Sequence, residues 1–255
     1  MPSLYNYDNL MQMNPISQFA VKKIFELEFF GLDISLTNAS VAMLTATFLI
    51  TILSYTAANK LSVIPDKKQT FAEIFYNFMN NMLKQYAGVN AAKYLPLIIS
   101  IFLIILMGNL LGLIPGIYTF TSQITITLSL ALIVFISVIW IGIKEQGLSF
   151  FKIFIHSNMP LPITLFIIPI EIVSFVARPI SLCLRLCINM IAGHMMLKIF
   201  AGFAASLPAS SVILVPLLVV LTLFEVLVAV LQAYIFAMLS CIYLSDAVNS
   251  STTHA

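Results

Sequence analysis

The side chains able to exchange protons are few, and several of them lie in strongly apolar surroundings. Glu171 and Arg185 occur in one long apolar stretch, and Glu225 and Asp246 occur in the next. An ionised group at bilayer depth costs at least about 2.5–3.5 kcal/mol, so it must face a partner or a wet cavity. Carboxylates can exchange protons, whereas arginine keeps its charge and acts as a fixed positive group. The set favours an ion or proton path.

Helical geometry arranges the polar residues of the first stretch along one side. At about 100° per residue, the side chains that fall within roughly 40° of Arg185 are those of Glu171, Arg178, Ser181 and Asn189. His194 follows Arg185 by nine residues, so it points to about the opposite side. Arg178 precedes Pro179, and we interpret it as an anchor near the membrane interface whose role stays open. Lys198 lies near a helix end and can extend its amine to water.

The second stretch carries its own polar line. Gln232 falls within about 20° of Glu225, and Asp246 falls within about 60°. Glu225 and Asp246 are 21 residues apart, which is roughly 30 Å along a helix axis. The two carboxylates therefore cannot share one site, but they can serve two separate places along the same helix.

A purely structural explanation of these charges is a lattice of salt bridges and hydrogen bonds that fixes helix packing. Ser, Thr and Asn would do that at lower cost than Arg, Glu and His. Carboxylates and histidine can pass protons, and Asn and Gln can hold water. These side-chain types favour the proton path.

The composition identifies the solvent of the chain. Of 255 residues, 61% are apolar and only 9% are charged, whereas a soluble domain carries about 25% charged residues. This indicates an integral membrane protein and excludes a soluble enzyme, a nucleic-acid-binding module and a disulfide-stapled secreted domain. The three cysteines, Cys183, Cys187 and Cys241, have no disulfide or metal-ligand spacing. We expect no cofactor and no metal.

Stretches without charge mark the membrane spans. The first is expected over residues 39–58. An uncharged block over 94–143 is cut by residues 115–116 and by the polar stretch 118–123. Each half, 94–114 and 123–143, is 21 residues long, about 30 Å as a helix, which matches a bilayer core.

Two other segments have an amphipathic pattern. Residues 60–93 place apolar side chains at helical spacing among polar ones, namely Phe71, Ile74, Phe75, Phe78 and Met82. This predicts a helix lying on the membrane surface. Residues 19–32 show a weaker version, and we expect a similar amphipathic segment there.

Residues 163–200 and 209–247 form two long helical patterns. Each would be close to 60 Å long, twice the thickness of a bilayer core. Pro169, Pro179 and Pro216 could bend these helices without ending them. We favour two long, strongly inclined helices that form a hairpin, and a pair of broken helices is the alternative.

The predicted fold is an all-α integral membrane protein with about five membrane-crossing helices and one interfacial amphipathic helix. Residues 1–38 are an N-terminal tail, 39–247 a single polytopic membrane domain and 248–255 a C-terminal tail. The tail at the N-terminus carries Lys22 and Lys23, and the loops on the other side carry seven lysines, Lys60, Lys67, Lys68, Lys84, Lys93, Lys144 and Lys152. The positive-inside rule then places the N-terminus outside and the C-terminus on the cytoplasmic or matrix side.

Two segments resemble the signature of a known family. They are SLCLRLCINMIAGH over 181–194 and LQAYIFAMLSCIYL over 231–244, and MGNLLGLIP over 107–115 agrees with them. The chain resembles the subunit a family of F-type ATP synthases over about residues 16–247. Gly193–His194 together with Glu225 is similar to the alphaproteobacterial and mitochondrial branch. The resemblance implies a bacterial inner membrane, with the mitochondrial inner membrane as the alternative.

The resemblance also implies partners and roles. Such a subunit is a stator that couples proton flow to ATP synthesis beside a rotating ring of c subunits, and it is held by peripheral-stalk b subunits. Arg185 would face the ring carboxylates and block direct leakage between two half-channels. The outer half-channel would involve Asn189, His194, Glu225 and Gln232, and the exit would involve Glu171 and Asp246. Nucleotide chemistry would belong to a separate soluble head, so we expect no catalysis by this chain alone and no nucleic-acid partner.

Two alternatives remain from the residues. A stand-alone secondary transporter or channel with an intramembrane Arg/Glu site would transport by itself and is often built from two related halves. We find no internal repeat in the sequence. A membrane scaffold that uses the polar residues only for packing is the other alternative.

Overall fold

The computed structural model of the chain describes residues 20–25, 28–29, 32–33, 35–58, 65–114, 117–147, 150, 161–206 and 211–249. Its helices in this part of the chain are α1 (Asn38–Ala58), α2 (Lys67–Ala87), α3 (Leu95–Gly112), α4 (Ile124–Gln146), α5 (Leu161–Ser206) and α6 (Ser211–Asn249). All but α2 are long and apolar enough to cross a membrane. The predicted class, an all-α membrane protein with about five crossing helices, is confirmed.

The spans predicted from the absence of charge agree with α1, α3 and α4 to within a few residues. Pro96 lies in the first turn of α3, where a missing N–H breaks no helical bond. A 3-10 turn, Phe120–Ser122, occupies the polar stretch between α3 and α4. We call the face of the domain that carries residues 117–123 the turn side.

The opposite face, which we call the tail side, holds the ends of α4 and α6. Gln146 donates a hydrogen bond from Nε2 to the carbonyl oxygen of Ala247 at 2.9 Å. Near it, the Lys93 amine and the Tyr94 hydroxyl both bond Glu145 Oε1, at 2.5 and 2.8 Å. These contacts fix the ends of three helices at one level.

Helix α2 is confirmed as a helix of its own. The Asp66 carboxylate accepts a hydrogen bond from the N–H of Lys67 at its start, and Gly88 ends it at φ 81°. Its apolar side chains divide between two surroundings. Met82 is buried against the other helices, whereas Phe71 remains exposed. The helix therefore packs against the bundle as well as presenting aromatic side chains outward.

Helices α5 and α6 are uninterrupted over 46 and 39 residues. Pro169 and Pro179 lie inside α5 and Pro216 inside α6, so the alternative of broken helices is wrong. The two helices measure about 69 and 58 Å, roughly twice a bilayer core. Such lengths suit the inclined hairpin that the sequence predicts.

Helix α6 is the central packing element, since α2, α3, α4 and α5 all contact it. Its second half buries Ala229, Ala233 and Ala237, one residue per turn, at 0% exposure. Small residues at this spacing let neighbouring helices approach closely. Its first half presents apolar side chains such as Val212 and Phe224 outward.

The helical form expected for the amphipathic segment over 19–32 is wrong where the structure describes it. Strand Lys23–Phe25 pairs antiparallel with Leu36–Thr37, and Glu28–Phe29 pairs with Leu32–Asp33. The reason is visible in the sequence FELEF over 25–29, where apolar and charged residues alternate with the period of two that favours a strand.

Candidate functional site

Three contacts between polar side chains link α5 to α6 in antiparallel order. His194 meets Glu225 nearest the turn side, Asn189 meets Gln232 in the middle, and Arg178 meets Asp246 on the tail side. The residues that sequence reasoning assigned to two separate places therefore do lie at two ends of one helix pair. The predicted separation of Glu225 from Asp246 is confirmed.

On the turn side, an acid and an imidazole face each other in nearly dry surroundings. His194 Nε2 lies 3.9 Å from Glu225 Oε1, and the two side chains are 13% and 7% exposed. Thr119 Oγ1, from the turn between α3 and α4, lies 3.2 Å from the same nitrogen. Gly193 makes room for the acid, because a Cβ there would lie 2.5 Å from Glu225 Oε1.

Several buried polar atoms have no hydrogen-bond partner among the described residues. They are both carboxylate oxygens of Glu225, Asn109 Oδ1, Thr121 Oγ1 and Gln232 Nε2. A buried carboxylate that accepts no hydrogen bond is costly while ionised. This arrangement suits a carboxyl that takes up and releases a proton.

The middle of the site is built from amides. Asn189 donates from Nδ2 to Gln232 Oε1 at 3.1 Å, and Asn109 on α3 donates from Nδ2 to the carbonyl oxygen of Ala229 at 3.3 Å. Amide groups offer both donors and acceptors, so they can bind water on either side of the Asn189–Gln232 contact.

Arg185 lies between the two ends of this line of contacts. Nineteen residues separate it from each end of the apolar span Phe166–Ala204, so it occupies the midpoint. Its side chain is exposed, as are its neighbours Leu184 and Ile188. Within the described ranges it makes no ion pair and no hydrogen bond. A guanidinium among apolar side chains needs a partner or water.

On the tail side, the acid is paired. Arg178 Nη1 lies 2.8 Å from Asp246 Oδ2, with the side chains 31% and 35% exposed. The guanidinium carbon also lies 5.8 Å from the ring centroid of Phe175 and 5.4 Å from that of Tyr243. Glu171 is half-buried, and it lies about two helical turns from Arg178 on the same face.

The structure thus brings together most of the side chains singled out from the sequence. His194 faces inward and Arg185 outward, which confirms their opposite directions. Sequence reasoning missed Thr119 and Asn109, and it left the partner of Arg178 open. The polar stretch 118–123 was the available signal for Thr119, although it indicated only a turn.

The sulfur atoms serve packing. Cys187 donates from Sγ to the carbonyl oxygen of Ser122 at 2.9 Å, and Cys183 Sγ lies 3.2 Å from Thr127 Oγ1. In the part of the chain that the structure describes, all three cysteines are free thiols and no group of His, Cys, Asp and Glu could hold a metal ion.

Comparisons with known proteins agree on one family. The family described as ATP synthase A chain matches residues 40–245. ATP synthase subunit a from Rhizobium rhizogenes (strain K84) is 44% identical over 246 residues, which cover 94% of this chain and 98% of that protein. The protein of the same name from Mesorhizobium japonicum is 40% identical over 247 residues, with the same coverage.

Proposed function

The chain belongs to the ATP synthase A chain family, and we propose that it is the stator through which protons cross the membrane sector of an F-type ATP synthase. It is a multi-pass membrane protein that works with other subunits in proton transport and ATP synthesis.

The exposed position of Arg185 is the observation on which the proposed function rests. The residue lies at the midpoint of α5, between apolar side chains, with no ion pair or hydrogen bond inside the described chain. The partner that fits this position is a carboxylate on a neighbouring membrane subunit. A ring of c subunits, each with one membrane-embedded carboxyl, supplies such a group in turn as the ring rotates. Arg185 favours the ionised form and keeps protons from passing directly across.

The turn-side half-channel is formed by His194, Glu225, Asn189 and Gln232. Its support is that both carboxylate oxygens of Glu225 and Gln232 Nε2 are buried without a hydrogen-bond partner among the described residues. The amide pair Asn189–Gln232 lies one step closer to the midpoint. Water between these groups would satisfy the atoms and connect them. A proton then reaches the level of Arg185 from the turn side only.

The exit half-channel lies on the tail side, with Glu171 and Asp246 as its acids. The ion pair of Asp246 with Arg178 places a carboxylate near the mouth of this half-channel. That charge attracts protons released from the ring, and the half-buried Glu171 offers a further acceptor on the same face of α5.

The two half-channels explain directional motion. A proton that arrives from one side neutralises a ring carboxylate, which can then face lipid without the cost of a buried charge. After nearly a full turn the carboxyl meets the other half-channel, loses its proton and is attracted to Arg185. Each charge that crosses yields about 2.3 kcal/mol per 100 mV, so the membrane potential sets the direction of rotation.

The same reasoning gives the setting of the chain. The N-terminus and the turn side face outward, the tail side faces the cytoplasm, and the membrane is the bacterial inner membrane. Peripheral-stalk b subunits hold the chain against rotation. The lysine distribution and the rhizobial relatives support this setting.

Replacing Arg185 with Ala tests the proposal. In membrane vesicles that contain the assembled complex, we expect ATP-driven proton pumping to be lost while ATP hydrolysis by the soluble head continues. Lys144→Ala is the matched control, since it removes an exposed positive charge on α4 away from the site. Normal pumping by the Arg185 variant would refute the proposal. Proton transport by the purified chain alone in lipid vesicles would instead indicate a stand-alone transporter.

A further inference from the structure

We infer that Thr119, on the turn between α3 and α4, is a positioning residue. It holds the imidazole of His194 so that Nε2 carries its hydrogen beside Glu225. The inference rests on the proposed function, because it concerns how the turn-side half-channel hands a proton to Glu225. Thr119 does not itself titrate, so it acts only through the imidazole.

The hydrogen bonds around the Thr119 hydroxyl define the arrangement. Its Oγ1 donates to the carbonyl oxygen of Gly112 at 3.3 Å and lies 3.2 Å from His194 Nε2. A hydroxyl has one hydrogen. We assign that hydrogen to the bond with Gly112. The oxygen then offers a lone pair to the ring, and Nε2 carries the hydrogen. The same nitrogen lies 3.9 Å from Glu225 Oε1, and the N–H is therefore held beside the acid.

Two glycines of α3 make this contact possible. A Cβ on Gly112 would lie 2.5 Å from Thr119 Cγ2 and 2.7 Å from its Oγ1, and a Cβ on Gly108 would lie 2.5 Å from Phe120 Cζ. The two glycines are four residues apart, so they lie on one face of α3. We call this surface without side chains the bare patch of α3, and the turn packs against it. A larger side chain at either position would push Thr119 or Phe120 away.

The turn is held from the other side as well. Ser122 donates from Oγ to the carbonyl oxygen of Thr119 at 2.6 Å. Cys187 on α5 donates to the carbonyl oxygen of Ser122. The turn is thus attached both to α3 and to the helix that carries His194, and this fixes the distance between Thr119 and the imidazole.

Among the described residues, the charged or titratable groups near the imidazole or on the turn itself come from three elements. Glu225 faces it from α6, and the charge of Lys198 reaches it along α5. On the turn itself, Tyr118 accepts a hydrogen bond from Gln123, and burial raises the pKa of Tyr118 above its ordinary value. Tyr118 therefore stays neutral at the pH where histidine titrates, and His194 and Glu225 remain the groups whose protonation the Thr119 hydroxyl can influence.

The test compares Thr119→Val, which removes the hydroxyl but keeps the shape, with Thr119→Ser, which keeps the hydroxyl. In vesicles with the full complex, we expect the valine variant to pump about two- to tenfold more slowly, the loss that one hydrogen bond accounts for. We also expect its pH profile to move towards acid by up to about one unit, because the imidazolium loses an acceptor. The serine variant should restore both rate and profile.

Thr51→Val is the matched control, since the exposed Thr51 hydroxyl donates to the carbonyl oxygen of Thr47 on its own helix α1. We expect it to pump like the unchanged complex at every pH. The inference is overturned if Thr119→Val matches this control, or if Thr119→Ser loses as much as the valine variant.

If the valine variant does not assemble, Gly112→Ala carries the test. Its Cβ displaces the Thr119 hydroxyl, so the acid shift should appear there, while Thr119→Ser keeps the unchanged profile. An unshifted profile in Gly112→Ala would overturn the inference. Arg185→Ala is measured in parallel. If that variant still pumps, the proposed function has failed, whereas blocked pumping there with a normal Thr119→Val means that this inference alone has failed.

Discussion

The two acids of α6 that meet α5 lie in opposite surroundings. Glu225 has a side chain 7% exposed, no hydrogen bond to either oxygen from the described residues, and an imidazole nitrogen at 3.9 Å. Asp246 is 35% exposed and has a guanidinium nitrogen at 2.8 Å. The surroundings of Glu225 favour a neutral carboxyl, whereas the guanidinium beside Asp246 stabilises an ionised one. The same helix thus carries one acid suited to changing its charge and one suited to keeping it.

Helix packing produces the difference. Near Glu225 the facing residue of α5 is Gly193. It leaves room for the carboxyl group but has no side chain that could donate a hydrogen bond. Near Asp246 the facing residue of α5 is a long basic side chain that lies between two aromatic rings. The burial of Ala229, Ala233 and Ala237 sets the register between these ends. Register, rather than residue type alone, decides which acid is paired.

Among changes at the two acids and their neighbours, the largest effect is expected from Glu225→Gln. The amide cannot release a proton, so ATP-driven pumping should fall roughly tenfold, equivalent to about 1.4 kcal/mol on the slowest proton step. Stability should not fall, because no hydrogen bond to the carboxylate is lost and a buried charge is avoided. Pumping across a range of pH and the thermal midpoint of the solubilised complex measure the two quantities.

Asp246→Asn is the matched control for that experiment, since it makes the same chemical change in the paired acid. It weakens the ion pair with Arg178 and should cost about 1 kcal/mol of stability, a modest figure because both side chains are about a third exposed. Equal losses of stability in the two variants would contradict the contrast between the acids.

A smaller effect is expected from Gly193→Ala, which tests whether the carboxyl needs the space beside α5. The added Cβ would lie 2.5 Å from Glu225 Oε1, so the side chain must turn away from His194. Pumping should fall about three- to fivefold, in line with an overpacking cost near the lower end of about 1–3 kcal/mol. ATP-driven pumping in vesicles measures it.

Shortening the acid provides the control for that steric argument. In the double variant Gly193→Ala with Glu225→Asp, the carboxyl group retreats by one methylene and the clash is relieved. We expect this variant to pump faster than Gly193→Ala alone. If it is slower instead, the alanine acts on something other than the position of the acid.

Much of the fold follows from the sequence because lipid imposes simple rules. The absence of charge over 94–143, divided by the polar turn, gives α3 and α4 to within a few residues. Length alone predicts that the last two helices exceed a bilayer. In the region of 19–32 the period-two alternation favours strands over the expected helix, and a segment outside the crossing helices is free to form them.

The candidate site could be predicted in direction but not in pairing. Angular position on a helix separates His194 from Arg185 and separates Glu225 from Asp246. It does not give the register between two helices, so neither the Arg178–Asp246 ion pair nor the His194–Glu225 contact could be derived. Thr119 reaches the site from a turn whose path depends on the bare patch of α3, which no periodicity in the sequence reveals.

The smallest effect is expected from Tyr243, whose ring contacts Arg178, the ion-pair partner of Asp246. Tyr243 lies with its ring centroid 5.4 Å from the guanidinium carbon of Arg178, and such a contact contributes about 0.5–1 kcal/mol at a partly exposed site. Tyr243→Leu should lower the stability of the solubilised complex by about that amount, whereas Tyr243→Phe keeps the ring and should not. The thermal midpoint measures both variants.

The contribution of the Tyr243 ring to stability should depend on the Arg178–Asp246 ion pair and not on Glu225. Asp246 holds the guanidinium in place, so Tyr243→Leu should cost less in the Asp246→Asn background, with an interaction energy of about 0.5 kcal/mol in a double-mutant cycle. In the Glu225→Gln background the same substitution should cost its full amount, because the distant acid shares no contact with Arg178. Equal coupling of Tyr243 to both acids would mean that the two ends of α6 are not independent.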